Sequence, residues 1–342
     1  MKNINIGIIG GGRIGQVHAK SITNLVPNAT IVALADPFMS EKLETWAKSI
    51  GIKETYKDPY KIINHENIEA VLICSPTDTH TELIQAAAKA KKHIFCEKPV
   101  DTDLNRINET MNVVKENDVL FQIGFNRRYD HNHNAVRNAV INNEVGDVHV
   151  IKITSRDPEP PNPEYVKVSG GIFLDMMIHD FDMVRFLSNS EVEEVYASGA
   201  VLIDPEIGKA GDVDTAMVML TMKNGSLAII DNSRQAVYGY DQRTEVFGSK
   251  GCAKVENDRN SLVEISSKTG VKSEKPLYFF LDRYIDSYAN EIIEFIDAVQ
   301  SGKEITCGID DAIRPVEIAL AATKSLKEHR PVLISEITND IK

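Results

Sequence analysis

Cysteine is scarce in this chain of 342 residues, which has four thiols in all. They stand far apart, at Cys74, Cys96, Cys252 and Cys307, and no two of them have the C-x-x-C spacing of a zinc knuckle or a redox centre. A disulfide framework is built from more cysteines in a shorter chain. We therefore expect four buried, unreactive thiols, no disulfide and no bound metal.

Positive charge is also in short supply. Lys and Arg together number 38 against 50 Asp and Glu, so the formal net charge is -12. Proteins that bind nucleic acid usually present a basic face to the phosphates, and this balance argues against that class. No apolar run approaches the ~18 to 20 residues that cross a bilayer, and the first residues lack the pattern of a secretory signal. We expect a cytoplasmic protein that binds neither nucleic acid nor membrane.

The chain is long enough for two domains, and its pattern changes after Gly124. Short apolar strands alternate with helices in the first part, which is typical of a parallel sheet covered on both faces. The strands are predicted at 4–9, 30–35, 70–75, 93–96 and 120–124, and the helices at 14–25, 81–90 and 104–116.

The second part has several β-type runs joined by short turns, which indicates a largely antiparallel sheet. Its strands are predicted at 148–155, 213–222, 226–233 and 244–247, and its helices at 132–142, 175–187, 283–300 and 309–328. A proline-rich stretch at 157–163 is predicted to be a loop, because proline suits neither a helix interior nor a central strand. This part is predicted to be an α+β domain.

A glycine-rich run lies between the first strand and the first helix. Gly10, Gly12 and Gly15 have the spacing G-x-G-x-x-G, with Arg13 and Ile14 opening the helix. The first glycine permits a tight turn, the second lets backbone approach a pyrophosphate, and the third lets helix and sheet pack closely. The free N–H groups and the dipole at the helix start favour an anion there. The alternative is a plain strand-to-helix turn.

An acidic residue completes the pattern. Asp36 follows the second strand, twenty-one residues after Gly15. A carboxylate there can accept hydrogen bonds from both ribose hydroxyls and would repel a 2′-phosphate, so the pattern indicates NAD rather than NADP. The competing interpretation of Asp36 is a turn or helix-cap residue before Pro37. The sequence therefore predicts an α/β chain with an N-terminal Rossmann domain (1–124) and an α+β domain (125–342) for substrate and oligomerisation. The last helices are candidates to pack back on the first domain.

Two candidate sets of catalytic groups stand beyond the glycine run. Lys98 follows the strand at 93–96, so it lies at the carboxyl edge of the sheet, where ligands of such sheets bind. The alternative for Lys98 is an ordinary surface lysine. Asp175 and His179 are four residues apart on one predicted helix, so they share a face, and a carboxylate can orient a histidine that acts as a base. Half of a metal site and a buried structural pair are the alternatives.

Several motifs together resemble the Gfo/Idh/MocA oxidoreductase family over nearly the whole chain. The sheet-edge residues 97–99 (EKP) and the segment from Asp175 to His179 after Gly170-Gly171 carry this resemblance. Stretches similar to the family's inositol-oxidising members stand at 124–130 (GFNRRYD), 155–158 (SRDP), 169–182 (SGGIFLDMMIHDFD) and 238–243 (YGYDQR). The resemblance implies NAD-dependent oxidation of a ring hydroxyl of myo-inositol, or of a close isomer, to a ketone.

The resemblance also implies roles for single residues. The residues that match the family's catalytic groups are Lys98, Asp175 and His179. The residues implied to contact the polyol or line its pocket are these three with Arg127, Asp157, Asp182 and Tyr238. The residues implied to line the cofactor, besides the glycine run and Asp36, are Ser75, Pro76, Thr77, His80, Glu97 and Lys98. For Ser75 to His80, a turn with a helix cap at Thr77 or Thr79 is the alternative. The family usually forms homotetramers through the sheet of the second domain.

Two other functions remain open at this stage. One is an NAD-dependent dehydrogenase of another polyol or sugar, such as scyllo-inositol or glucose. The other is a sensor that binds NAD and a sugar without turnover, since some members of the family are regulators. Intact Lys98, Asp175 and His179 argue against a sensor, which has no need to keep them.

Overall fold

The computed structural model describes residues 2–339, which contain fifteen strands and fourteen α-helices. The strands, in chain order, are β1 Ile4–Ile9, β2 Ala29–Ala35, β3 Glu54–Tyr56, β4 Ala70–Ile73, β5 His93–Glu97, β6 Phe121–Gly124, β7 Val148–Arg156, β8 Val192–Ala200, β9 Thr215–Met222, β10 Leu227–Ser233, β11 Asp241–Gly248, β12 Cys252–Val255, β13 Glu264–Ser267, β14 Gly270–Ser273 and β15 Val332–Leu333. The helices are α1 Arg13–Leu25, α2 Glu41–Ser49, α3 Tyr60–Ile63, α4 His80–Lys89, α5 Leu104–Asn117, α6 His131–Ile141, α7 Pro163–Ser169, α8 Gly171–Asp175, α9 Ile178–Ser188, α10 Pro205–Lys209, α11 Phe280–Arg283, α12 Ile285–Ser301, α13 Ile309–Glu328 and α14 Ile334–Thr338.

The described residues divide into two compact units. The first unit comprises the chain through Tyr129 together with Ile285–Arg314, and the second comprises Asp130–Tyr284 with the residues from Pro315 onward. The boundary between Arg314 and Pro315 falls inside α13. A single cut at residue 124, as the sequence suggested, would instead assign Ile285–Arg314 to the second domain.

The first unit contains a parallel sheet of six strands in the order β3-β2-β1-β4-β5-β6. Its central strands are mostly apolar because helices cover both faces, and Leu34, Leu72 and Phe95 are all completely buried. The strand order reverses between β1 and β4, and the crevice at the carboxyl ends of these two strands is where such sheets bind ligands. This is the α/β dinucleotide-binding sheet predicted from the sequence.

The second unit contains a seven-stranded sheet in the order β12-β11-β7-β10-β9-β8-β15. Neighbouring strands run antiparallel except for the parallel pair β7 and β10, so the prediction of a mostly antiparallel sheet is confirmed. The carboxyl ends of β7 and β10 lie at the same edge as the amino ends of β9 and β11. That edge gathers residues from four strands.

The element predictions fail at several places. The edge strand β3 and the helix α3 were missed because three or four residues give little periodicity, and the nine-residue helix α2 was missed as well. The helix predicted at 175–187 is interrupted at Met176 and Met177, and the one predicted at 283–300 is divided between α11 and α12. Pro163 opens α7, where a missing N–H has no cost, so the predicted loop ends at Asn162. Cys252 is exposed on β12, whereas the other three thiols are buried as expected.

Among residues 2–339, no helix is both long enough and apolar enough to cross a membrane.

Candidate active site

The glycine run forms a tight turn between β1 and α1. Gly10 has a φ of 103°, and a Cβ there would lie 2.6 Å from the backbone of Cys74 on β4's carboxyl side. A Cβ on Gly15 would lie 1.9 Å from the carbonyl oxygen of Gly10, so neither position accepts another residue without movement. These two glycines are required by the protein's own packing.

Gly12 differs from its neighbours in the run. It is the N-cap residue of α1 with an ordinary φ of -69°, it makes no side-chain cap, and a Cβ there would meet no atom within 4 Å. The first turn of α1 also carries no acidic residue, and its first residue, Arg13, is exposed. The helix start is therefore open for an anion, and a pyrophosphate fits this cradle because nothing in the described protein fills it.

Asp36 stands at the end of β2 and faces the glycine run. Its Oδ2 accepts a hydrogen bond of 2.7 Å from Gly11 N, and its Oδ1 accepts one of 2.8 Å from Phe38 N. The carboxylate is therefore a turn residue, as the competing interpretation held, and it also fixes the glycine loop. The predicted contact with a ribose is compatible with this role, since a carboxylate has more acceptor sites than these two bonds use.

The loop after β4 holds the next group of cofactor candidates. The hydroxyls of Ser75 and Thr79 are 2.7 Å apart, and the Thr79 hydroxyl donates to Pro76 O at 2.7 Å, so the turn over Pro76 and Thr77 is closed by its own side chains. Thr79 is the N-cap residue of α4, but its side chain makes no cap bond.

His80 joins this loop to the loop after β5. Its Nε2 lies 2.8 Å from Ser75 O and its Nδ1 lies 2.8 Å from Pro99 O. The side chain is buried, and this burial lowers the pKa of His80 although both carbonyl oxygens oppose the change. The imidazole thus braces two loops at the carboxyl edge of the sheet.

Lys98 follows β5 at that same edge, as predicted. It is partly exposed, and the peptide bond to Pro99 is cis. Glu97, the last residue of β5, lies 2.6 Å from His18 Nε2 through its Oε1, and His18 is fully buried in α1. The residue before Lys98 is therefore anchored to the helix that opens at the glycine run.

A second acid completes a buried cluster around His18. Glu291 Oε1 lies 4.0 Å from His18 Nε2, and its side chain is fully buried, with no hydrogen-bond partner for either carboxylate oxygen among residues 2–339. Burial raises the pKa of Glu291 well above its ordinary range, and the negative charge of Glu97 adds to this. One ligand atom from each of these three residues lies within 4.8 Å of the others. The 2.6 Å contact is a hydrogen bond, shorter than the ~3.3 Å between two ligands of a tetrahedral ion at ~2.0–2.1 Å.

The second unit carries the candidate pair Asp175 and His179. Asp175 is the last residue of α8, and His179 is the second residue of α9. The two helices are separate because Met177 N bonds to Ile172 O, five residues back, at 2.8 Å, which closes α8 with a wide turn. The prediction of one continuous helix carrying both residues is therefore wrong.

Asp175 has two strong donors around its carboxylate. Tyr165 donates its hydroxyl to Oδ1 at 2.8 Å, and Arg234 donates Nη1 to Oδ2 at 2.8 Å. Asp157 Oδ2 and Asp212 Oδ2 each lie 4.0 Å from the same guanidinium. Three carboxylates from three segments thus surround one arginine, and Asp157, the residue hardest to place from the sequence, is among them.

Gly171 allows one of these carboxylates to approach. Its φ is 81°, and a Cβ there would lie 2.9 Å from Asp212 Oδ1, which accepts a hydrogen bond of 3.0 Å from Ile172 N. The two adjacent glycines at 170 and 171 indicated a close approach to the backbone, but the sequence did not identify the group that approaches. Burial raises the pKa of Asp212, although that bond and the one from Val213 oppose the change.

Tyr238 belongs to a second polar network at the same edge. Its hydroxyl donates to Asp241 Oδ2 at 2.6 Å and accepts a longer bond of 3.4 Å from Arg156 Nη1. Burial raises the pKa of Asp241, but hydrogen bonds from Arg243, Tyr238 and Asn257 outweigh it and lower the pKa overall. Tyr238 itself is 39% exposed, which leaves its ring accessible.

Two predicted polyol residues lie deeper. Arg127, in a short 3₁₀ turn after β6 in the first unit, is 4% exposed. Asp182, in α9, is 1% exposed, and its Oδ1 lies 3.7 Å from Arg185 Nη1.

The sequence reasoning missed Arg234, Asp212 and Tyr165 in the second unit, and His18 and Glu291 in the first. His18 stands three residues after Gly15, but nothing in the linear pattern shows that it reaches Glu97. Arg234 follows the strand predicted at 226–233, at the edge where Arg156 ends β7.

Comparison with known proteins agrees with this geometry. Residues 4–125 match the family model described as the oxidoreductase family with an NAD-binding Rossmann fold, and residues 133–254 match the GFO/IDH/MocA C-terminal domain. A myo-inositol 2-dehydrogenase of Thermotoga maritima is 48% identical over 98% of this chain and 99% of its own. An inositol 2-dehydrogenase of Rhizobium meliloti is 45% identical over 97% of this chain and 99% of its own.

A solved structure supports the same relationship. The crystal structure of a probable dehydrogenase from Thermotoga maritima has a TM-score of 0.95 and 48% identity, and the match covers 98% of this chain and all of that one. The family models together span well over half of the chain, and the six-stranded and seven-stranded sheets have the expected arrangement. The chain belongs to the Gfo/Idh/MocA oxidoreductase family.

Proposed function

We propose that the protein oxidises a ring hydroxyl of myo-inositol to the ketone with NAD as the acceptor, as part of inositol breakdown in the cytoplasm. The observation that carries the proposal is the carboxyl edge of the first sheet, where the open start of α1 at Gly12 and Lys98 after β5 stand at the ends of strands in one sheet. Support also comes from two relatives at 48% and 45% identity, whose names are myo-inositol 2-dehydrogenase and inositol 2-dehydrogenase.

The groups that hold the cofactor belong to the first unit. The N–H groups at Gly12, Arg13 and Ile14 bind the pyrophosphate, and Asp36 accepts from the ribose hydroxyls. The loop of Ser75, Pro76, Thr77 and His80, with Glu97 and Lys98, lines the remainder of the cofactor. When bound, NAD supplies the acceptor for the hydride that leaves the ring carbon.

The acid–base chemistry is assigned to three side chains. His179 removes the proton from the reacting hydroxyl, and Asp175 orients His179 and stabilises its imidazolium. Lys98 donates to the same oxygen and stabilises the negative charge that develops on it. Lys98 suits this role because its ammonium carries three hydrogen-bond donors and a compact positive charge.

The polyol itself is neutral and carries a hydroxyl on every ring carbon, so each hydroxyl that is buried needs a partner. Arg127, Asp157, Asp182 and Tyr238 contact the polyol or line its pocket. These residue types offer several donors and acceptors each.

Replacement of His179 tests this assignment. We expect His179→Ala to lower kcat for NADH production from myo-inositol by about 10²- to 10⁴-fold, the contribution typical of a general base. The affinity for NAD should stay unchanged. His131→Ala is a matched control, because His131 lies in the same unit with 66% of its side chain exposed. If His179→Ala turns over as fast as the control variant, His179 is not the base.

The assembly we propose is a homotetramer formed through the sheet of the second unit. One face of this sheet exposes large apolar side chains from four strands: Tyr196, Met217, Met219, Leu227 and Phe247. Tyr196 and Ile229 flank Met219 in register on the neighbouring strands, so the exposed side chains form a continuous patch. A patch of this kind suits burial against a second copy. Light scattering of the purified protein measures the assembly directly.

A further inference from the structure

We propose that Arg234 is a positioning residue for the reaction, which holds the carboxylate of Asp175 in the orientation that its role requires. This inference rests on the proposed function, since it takes Asp175 as the carboxylate that orients the base. The effect of Arg234 on the reaction runs through its hydrogen bond to Asp175.

The backbone of Arg234 is fixed by the sheet. The residue follows the last position of β10, whose Ser233 pairs with Arg156 of β7. Its N–H donates to Asp214 O at 2.8 Å, just before β9 begins. The guanidinium therefore starts from a rigid point at the edge that carries Asp157 and Tyr238.

The side chain is buried among acids. Arg234 is 3% exposed, and Nη1 donates to Asp175 Oδ2 at 2.8 Å, with carboxylates of Asp157 and Asp212 each 4.0 Å away. A hydrogen bond between charged groups that excludes water is stronger and more directional than one in solvent. Burial alone lowers the pKa of Arg234, but the three carboxylates, Asp175 first, raise it overall, so the side chain keeps its charge.

Two donors on different elements fix the rotation of the Asp175 carboxylate. Arg234 holds Oδ2, and Tyr165 of α7 holds Oδ1 at 2.8 Å. Tyr165 is 50% exposed, so its bond competes with water and Arg234 provides the stronger hold. Without Arg234, the three acids would lose the positive charge that they share, and Asp175 would turn away from the other two carboxylates.

The test compares Arg234→Met with Arg234→Lys in the full-length protein. We expect Arg234→Met to lower kcat for myo-inositol oxidation on the order of 100-fold, the loss that a 1 Å misplacement causes, with the KM for NAD changed by less than about 3-fold. Lysine should recover part of kcat, because it keeps the charge but not the planar fork. Equal kcat losses in both variants, in proportion to their fall in Tm, would overturn the proposal.

Arg283→Met is the matched control. Arg283 lies in the same unit, its side chain is 5% exposed, and its Nη2 donates to Asp130 Oδ1 at 2.9 Å, yet no candidate residue is in that pair. We expect this variant to lose thermal stability while the folded protein keeps kcat within about 3-fold of the wild type. If Arg283→Met lowers kcat as much as Arg234→Met does, the effect is structural and the proposal is wrong.

A double-mutant cycle with Asp175→Asn separates this inference from the proposed function. If Arg234 acts through Asp175, Arg234→Met should lower kcat by less than about 3-fold in the Asp175→Asn background; losses that multiply would overturn the inference. If Asp175→Asn alone keeps the wild-type kcat, the role given to Asp175 fails, and the inference fails with it. If Asp175→Asn loses activity while Arg234→Met does not, only the inference fails.

Discussion

Asp36 has both carboxylate oxygens engaged by backbone, at Gly11 N and Phe38 N. Its replacement by alanine would therefore remove support from the glycine loop as well as the negative charge. Asparagine is the cleaner change, because its amide oxygen keeps one acceptor while the charge that repels a 2′-phosphate is lost.

We expect Asp36→Asn to raise kcat/KM for NADP by about 10-fold, which corresponds to about 1.4 kcal/mol, and to lower kcat/KM for NAD. Steady-state rates with both coenzymes measure the change. Asp58→Asn is the control, since Asp58 is a second turn aspartate of the same unit, is exposed, and accepts a hydrogen bond from Tyr60 N at 2.9 Å. An unchanged ratio of the two coenzymes would contradict the role of the Asp36 charge.

Glu291 gives a prediction about pH. Burial raises its folded-state pKa, so the carboxyl is neutral when folded over a pH range in which it ionises when unfolded. The stability contributed by this neutral group is full below the ordinary glutamate pKa and is lost as pH rises toward the folded pKa. Glutamine has nearly the same shape and no charge at any pH.

We expect Glu291→Gln to gain stability relative to the wild type as pH rises from about 5 to 9, where a shift of one pKa unit is worth about 1.4 kcal/mol. Urea unfolding at several pH values measures the difference. Glu294→Gln controls for the loss of a carboxylate on the same helix. A difference that shrinks with rising pH would mean that Glu291 is ionised in the folded protein.

At the scale of elements, the turn between β1 and α1 contains glycines that are needed for two different reasons. Gly15 is required by packing, because its Cβ would lie 1.9 Å from Gly10 O, whereas no described atom lies within 4 Å of a Cβ on Gly12. The packing of the described residues therefore does not require glycine at position 12, and the proposed pyrophosphate site is the reason that we infer for it.

Alanine at each position tests this distinction. We expect Gly12→Ala to leave Tm within about 2 °C of the wild type. Replacing a glycine helix cap with alanine lowers the free energy of unfolding by only a few tenths of a kcal/mol to about 1 kcal/mol. It should weaken NAD binding at least 10-fold by titration calorimetry. Gly15→Ala should lower Tm clearly. Equal NAD affinity in Gly12→Ala and the wild type would place the pyrophosphate elsewhere.

The elements that the sequence predicted well are those whose signal is local. The helix α13 was predicted with its observed bounds, and the central strands of the first sheet were found within a residue or two. The interruption between α8 and α9 was missed, because it depends on Met177 N bonding to Ile172 O, and the periodicity of the side chains runs through it.

The residues of the candidate site also divide into those with a local sequence signal and those without one. Gly10, Gly12, Gly15 and Asp36 were identified because spacing along a strand–turn–helix unit determines their positions. The contact of His18 with Glu97 spans 79 residues, and that of Arg234 with Asp175 spans 59. Such contacts are determined by how sheets and helices pack in three dimensions, and no linear pattern encodes them.

At the scale of the whole molecule, each unit has an edge with its own chemistry. The first carries the nucleotide cradle, Lys98 and the loops braced by His80. The second carries carboxylates held by Arg234, and His179 stands at the start of α9. The proposed oxidation needs both sets of groups, since the first binds the acceptor of the hydride and the second removes the proton.

Transfer of an isotopic label tests the central claim most directly. Myo-inositol that carries deuterium on the ring carbon of the 2-hydroxyl is incubated with the protein and NAD, and the reduced cofactor is analysed by mass spectrometry. We expect one deuterium in each molecule of NADH formed, with an inosose as the other product. Formation of NADH without deuterium, or no NADH from any inositol isomer, would contradict direct oxidation of that hydroxyl by this protein.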